Sequence, residues 1–183
     1  SSLALGLTWL NLDVEYDYVD SPERDWYVDT IACPPNKIDN AVYGQGLNLL
    51  EVELFASILN RHNESMAAPW TITLDACDVN EERFTNRISE RLNEWPISDS
   101  TLHSEHKADA NHRIVGGASV VAKVVRDRIL DALQDDLGFS IGSGYPSDPN
   151  TVAALPKLIG PKEIHPDLRW SWATVERYWA KHY

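Results

Sequence analysis

Cysteine is scarce: Cys33 and Cys77 are the two in 183 residues. That is too few and too widely spaced for a disulfide framework or a zinc cluster. Both lie in apolar stretches that read as buried strands, so both are expected to be free thiols. No window approaches 18 uninterrupted apolar residues, which excludes a membrane-spanning helix. The opening SSLALGLTWLNLDVEYD lacks the basic flank and small-residue cleavage pattern of a signal peptide. The expectation is a cytoplasmic protein with no membrane partner. Internal repeats and low-complexity segments are also missing. So is any surplus of basic charge: net charge is −12, and a pI near 4.8 argues against a generic nucleic-acid binder, which neutralises phosphates with clustered Lys and Arg. The acidity is uneven, with 18 acidic and 6 basic side chains in residues 1–100 but 10 of each in residues 101–183. Net charge reports on solubility and long-range field, not on a local groove, and a carboxylate-rich metal site adds acid of its own.

What is present is a chain 43% hydrophobic, enough to bury a sizeable core in one domain with a short appendage. The reading places a domain over 1–150 and a carboxy-terminal helical extension packed on it over 151–183. Residues 1–24 have mixed character. DWYVDTIACP at 25–34 reads as a strand ending at a double proline. LNLLEVELFASILNR, from Leu47, carries Leu50, Val52, Leu54, Phe55, Ile58 and Leu59 on a helix packed against a sheet. A strand follows at 71–76, then a helix capped by Asn80 with Phe84 and Ile88 on it, a breaker at Trp95-Pro96, and a short strand at 101–106. The run 114–138 predicts the longest helix, with Val121, Val124, Val125, Ile129, Leu130 and Leu133 on its apolar face and Gly138 stopping it. A turn-rich loop over 142–150 and helices near 150–159 and 172–182 complete the chain. Alternating strands and helices fit an α/β fold, a mixed sheet flanked by helices.

Asp75 stands just beyond the apolar run TITL, where ligands usually meet an open α/β sheet. Asp109 lies in SEHKADAN, where Glu105, His106, Lys107 and Asp109 crowd between a strand and the long helix. Two carboxylates at neighbouring strand ends suit hard divalent cations such as Mg²⁺, which prefer oxygen donors. The bland alternative is an aspartate forming a turn or capping a helix. His103, His106 and His112 have spacings that match no standard zinc arrangement.

Three stretches occurring in order, LDACDVNEERF at 74–84, EHKADANHRIVGGASVVAKVVRD at 105–127 and GSGYPSDP at 142–149, resemble the archaeal-type branch of ribonuclease HII. A weaker similarity covers NKIDNAVYGQGLNLLE at 36–51, and the whole extends over roughly residues 30–175. The resemblance implies a ribonuclease H-like fold and two-metal phosphodiester hydrolysis with Mg²⁺ or Mn²⁺, acting on RNA–DNA hybrids and on ribonucleotides embedded in duplex DNA. It makes Asp75 and Asp109 two of the family's four catalytic, metal-holding carboxylates, and Asp78 a structural or capping residue. It assigns Tyr145 to pack on the deoxyribose beyond the ribonucleotide, with Ser143 in the same loop. Lys107, Ser119, Lys123, Arg126 and Arg169 become candidate nucleic-acid contacts. Gly116 and Gly117 stand where relatives commonly have Ser-Ala, and with Ala118 they let a backbone approach closely.

The family's opening strand and Asp-Glu-Ala-Gly-(Arg/Lys)-Gly segment, which supplies the other two carboxylates and reads the 2′-hydroxyl, has no counterpart here. YDYVDSPERD offers Asp17, Asp20 and Glu23 but neither the apolar strand nor the glycine turn. The chain is therefore expected to be a fragment or to receive that segment from a second chain, and alone it would expose unpaired strand edges. The alternative is a noncatalytic hybrid-binding or assembly subunit that keeps the fold.

Overall fold

Four short strands and seven helices alternate through residues 4–8, 28–62, 69–96 and 99–183, the part of the chain that the computed structural model describes. Strand β1 (Ala4–Thr8) pairs in parallel with β2 (Val28–Ala32). Helices α1 (Pro35–Tyr43) and α2 (Leu47–His62) follow. Strand β3 (Thr71–Asp75), helix α3 (Glu81–Ser89) and strand β4 (Thr101–Glu105) form a β-α-β unit, with Thr71 opposite Thr101 and Asp75 opposite Glu105. The parallel pairing requires a crossover, and α3 supplies it. Beyond β4 come α4 (Ala108–Asn111), α5 (Arg113–Leu137), α6 (Pro149–Leu158) and α7 (Ala173–His182). This is the α/β class expected from the alternation of patterns. No helix among the described residues is long and apolar enough to cross a membrane.

Several expectations need correction. A strand forms at Ala4–Thr8, within a stretch read as mixed, and the expected strand start at 25–27 lies outside the described residues. Pro35 was read as the end of a strand, but it also opens α1: proline at the first helical position has its φ pre-set and lacks only a donor that would go unused. Cys33 is buried as expected, whereas Cys77, two residues past the end of β3, is exposed; both are free thiols. On α5, Val124 is 42% exposed while Val115, Ala118, Ala122, Ile129 and Leu130 are buried. The buried stripe thus runs through small residues that a size-weighted reading passes over.

Three apolar clusters form the core. Val52, Phe55 and Leu59 of α2 meet Ile72 and Leu74 of β3 and Phe84 and Ile88 of α3, with Phe55 and Phe84 edge to face at 5.9 Å. Cys33, Ile38, Ala41, Leu50 and Leu54 join α1 to α2. Ile129 and Leu130 of α5, with Ile141, meet Ala154, Leu155 and Leu158 of α6 and Val175 of α7. All six apolar positions predicted for α2 are buried.

The turn from β3 into α3 is locked by Asp78, whose side chain is fully buried. Its carboxylate accepts from Arg83 through both Nε and Nη2, from Arg87 Nη1 at 3.2 Å and from the Asn80 amide at 3.2 Å. Asn80 in turn caps α3 by accepting from the Arg83 amide at 2.7 Å. The Arg83 hydrogen bonds, aided by the Asn80 amide and the charge of Arg87, hold the Asp78 carboxyl below its ordinary 3.8. The unfolded chain therefore takes up the proton more readily. This contribution to stability is complete above about pH 4 and is lost as pH falls through the lowered folded value. Asp78→Asn is expected to lower the urea-unfolding free energy at pH 7 by about 2–3 kcal/mol and to flatten the acid limb of the stability–pH curve.

Candidate active site

Asp75 is the last residue of β3, opposite Glu105 at the same end of β4. Its Oδ1 accepts from the backbone N–H of Ala108 at 3.0 Å. Ala108, wholly buried, is the first residue of α4, and Asp109 follows it in that helix's first turn. One carboxylate thus fixes the main chain that presents the other. The chain reverses between β4 and α4 at Lys107, which adopts left-handed φ 61° and ψ 32°. That conformation costs a non-glycine residue roughly 1 kcal/mol or more. The Asp75–Ala108 hydrogen bond and the burial of Ala108 offset that cost.

Two further contacts hold Asp109 in place. Glu105 accepts from Asn111 Nδ2 at 2.9 Å and lies 3.0 Å from His112 Nε2, while its other oxygen is 3.3 Å from His103 Nε2. It thereby ties the α4–α5 junction back to β4. These partners, Asn111 foremost, hold the Glu105 carboxyl below the usual range. On the other side Gly116 of α5 lies so close to α4 that a Cβ there would be 2.7 Å from the Asp109 carbonyl oxygen. A Cβ on Gly117 would meet nothing within 4 Å. Of the two glycines singled out in the sequence, only Gly116 permits a close approach.

None of the three histidines forms a metal site. His106 sits between Glu81, 3.0 Å from Nδ1, and the Asp78 carbonyl, 2.7 Å from Nε2. His103 and His112 both face Glu105. Among the described residues no group of three or more His, Cys, Asp or Glu side chains is gathered to hold a metal ion. Asp75 and Asp109 supply hard oxygen donors, the type Mg²⁺ and Mn²⁺ select.

The other candidates surround a cavity of about 560 Å³ between α5, the 142–146 loop and the segment 165–172, lined by Ser119, Lys123, Arg126, Tyr145, Arg169 and Trp172. Helix α5 joins the two regions. Gly116 touches Asp109, and Arg126, ten residues on, is about 15 Å further along the axis at 1.5 Å per residue. The loop is shaped by Gly142 and Gly144, both at positive φ, and by hydrogen bonds from Ser143 N to Asp148 (2.6 Å) and from Gly144 N to Thr151 Oγ1 (3.0 Å). Tyr145 is 49% exposed at its tip. Arg126 lies over the Tyr145 ring at 4.1 Å and donates to the Ser143 carbonyl at 2.6 Å. Lys123 is exposed and pairs with Asp127 at 3.1 Å.

Arg169 lies over Trp172 at 5.6 Å, and its buried Nε has no hydrogen-bond partner among the described residues. Burial pulls its pKa below the usual arginine value. The main chain beside it is anchored by Asp39 of α1, which accepts from the amides of Trp170 (2.8 Å) and Ser171 (3.1 Å). Asp39 is a supporting residue that the sequence reading does not single out, and Glu105 one that it names only among the residues crowding around Asp109. The structure brings Asp75, Lys107 and Asp109 together at one end of β3 and β4, and Ser119, Lys123, Arg126, Tyr145 and Arg169 around the cavity, with Ser143 in the loop but outside the cavity lining.

Gly116→Ala is expected to displace residues 108–112, visible as amide shifts concentrated there, and to lower thermal stability. Gly117→Ala, with room for its methyl group, should be neutral or stabilise α5 by up to about 1 kcal/mol.

The sequence profile described as Ribonuclease HII matches residues 30–175. A Ribonuclease HII of Methanococcus maripaludis is 37% identical over 151 residues, covering 80% of this chain and 60% of that protein. One from Thermococcus kodakarensis is 42% identical over 132 residues, covering 72% and 54%. The crystal structure of ribonuclease H2 from Pyrococcus horikoshii superposes with a TM-score of 0.68 at 35% identity, covering 81% of this chain and 66% of that one. The enzyme of the PCNA:RNase HII complex from Archaeoglobus fulgidus gives 0.62 at 30% identity, covering 76% and 63%. The chain spans about 60% of the length of the first curated relatives it matches. With its motifs, its fold and the match over residues 30–175 in agreement, the chain belongs to the ribonuclease HII family.

Proposed function

We propose that this chain forms the larger part of a ribonuclease that hydrolyses RNA in RNA–DNA hybrids and cuts on the 5′ side of ribonucleotides embedded in duplex DNA. The observation that carries this reading is the hydrogen bond from Ala108 N to Asp75 Oδ1, which sets Asp109 beside Asp75. Asp75 and Asp109 would hold Mg²⁺ or Mn²⁺, which supplies an activated water and stabilisation of the leaving 3′-oxygen. Two carboxylates are an incomplete set for two such ions. The remaining ligands come from protein outside the described residues or from a second chain.

The protein's own groups position the duplex. Tyr145 presents a ring face to the deoxyribose beyond the ribonucleotide, where a 2′-hydroxyl would collide with it. The Arg169 guanidinium, in the cavity lining, suits a phosphate oxygen. Lys107 and Lys123 are exposed cations for the same backbone, and Ser119 and Ser143 offer hydroxyls beside it. These groups bear on the objection from net charge, because Lys123, Arg126 and Arg169 outnumber the one acidic residue, Asp167, in the cavity lining. The proposed setting is cytoplasmic, in keeping with two free cysteines.

In the full-length protein with Mg²⁺ or Mn²⁺, Asp75→Asn and Asp109→Asn should each abolish cleavage of a labelled hybrid. Asparagine retains an Oδ1 acceptor for Ala108 N, so folding should be kept in the first variant, as circular dichroism would show. Robust cleavage by the double variant would refute the assignment. Tight hybrid binding with no cleavage by the full-length wild-type protein would favour a noncatalytic subunit.

A further inference from the structure

We propose that Arg126 is a positioning residue, which clamps the Tyr145 ring and so sets how strongly the protein rejects a ribose beyond the cleavage junction, and that it is not a phosphate ligand. This rests on the reading of Tyr145 given above. Arg126 comes from the middle of α5, and its side chain is 12% exposed, against 65% for Lys123 one turn earlier. Its guanidinium is already committed in three directions. Nη1 donates to Asp127 at 3.1 Å, Nη2 donates to the Ser143 carbonyl at 2.6 Å, and the plane lies over the Tyr145 ring at 4.1 Å. A planar fork meets a carbonyl and a ring face in one fixed geometry, whereas a lysine ammonium is a rotating point charge that does not hold the two in register.

The loop is pressed against this group. Gly144, at φ 70°, passes so near that a Cβ would lie 3.1 Å from Arg126 Nη2 and 3.0 Å from Leu130 Cδ1. Serving as a phosphate ligand would oblige Arg126 to give up these contacts. Lys123 has a single exposed ion pair to lose, of the kind worth little in water.

Steric rejection of a 2′-hydroxyl is only as strong as the wall that rejects it. A ring free to swing admits the extra oxygen at the cost of its own rotation, whereas a ring held under a guanidinium and tied through Ser143 to α5 does not. Arg126 therefore governs the ratio between two sugars and leaves the general affinity for duplex nearly unchanged.

The test is equilibrium binding by fluorescence anisotropy to two duplexes that differ in one sugar, deoxyribose or ribose, immediately beyond the ribonucleotide. It compares full-length wild type, Arg126→Lys, Arg126→Met, Tyr145→Ala and the double variant Arg126→Met/Tyr145→Ala. Both Arg126 variants should lower the discrimination ratio roughly tenfold, the scale of a single partly desolvated cation–π contact. The double variant should discriminate no worse than Tyr145→Ala alone. The slope of log affinity against log salt should stay at the wild-type value. Full discrimination by Arg126→Lys, multiplicative effects in the double variant, or a slope reduced by about one in Arg126→Met would overturn the proposal, the last marking a lost phosphate contact.

Unchanged discrimination in Tyr145→Ala would instead refute the reading of Tyr145. The clamp is then decided separately by ¹⁹F NMR of protein carrying 3-fluorotyrosine without nucleic acid, with the Tyr145 signal assigned by its loss in Tyr145→Phe. A signal that is single and sharp in wild type and shifted or broadened in Arg126→Met supports the clamp, and an identical signal in both rejects it.

Discussion

A single hydrogen bond, from the amide of Ala108 to a carboxylate oxygen of Asp75, ties the end of β3 to the short helix that carries Asp109. Aspartates rarely end a parallel strand without a partner, because a half-buried carboxylate needs donors. Here the donor is the first N–H of a short helix, a group that has no intrahelical acceptor of its own. Each side answers the other's unmet demand, and the geometry that results delivers Asp109 to the same strand end. The left-handed turn at Lys107, the hold of Glu105 on Asn111 and His112, and the bare face of Gly116 all act on the same short helix from different sides.

Helix α5 then works as a rail. Its amino-terminal end abuts the Asp109 main chain through Gly116, and further along it carries Ser119, Lys123 and Arg126 to the cavity. A rigid helix converts residue number into distance, so the separation between Gly116, against the Asp109 main chain, and Arg126, over the Tyr145 ring, is set by the backbone of α5. The buried stripe of Val115, Ala118, Ala122 and Ile129 recurs at helical spacing and keeps that rail seated. Charge is partitioned along with geometry: the amino-terminal half carries the acidic surplus, and the half that builds the cavity is balanced.

The fold class was readable because α2, β3, α3 and α5 each carry a pattern of matching period, and Asp75 and Asp109 were readable because they sit in recognisable strings. What escaped notice has a physical reason in each case. Lys107 gives no sign of a left-handed turn, since glycine or asparagine is the usual mark of one. Helix α4 is a single turn, too short to show periodicity. Ala118 and Ala122 bury as completely as valines but weigh little on any scale of side-chain size, so Val124 took a place on the apolar face that it does not occupy. Arg126 reads as one more charge on a solvated helix; that it reaches Ser143 and Tyr145 depends on how the 142–146 loop folds back, which no local pattern announces. Asp39 lies 131 residues from the amide it accepts.

That last separation has a bearing on how the protein comes into being. The wall of the cavity carrying Arg169 and Trp172 hangs from α1 through the amides of Trp170 and Ser171. During synthesis the Asp39 carboxylate is made some 131 residues before the first of its donors. The ends of β3 and β4 can form from neighbouring segments, but this wall of the cavity closes only once Trp170 and Ser171 have been made. A nascent chain would thus hold its carboxylates in place before it had any means of choosing what to present to them.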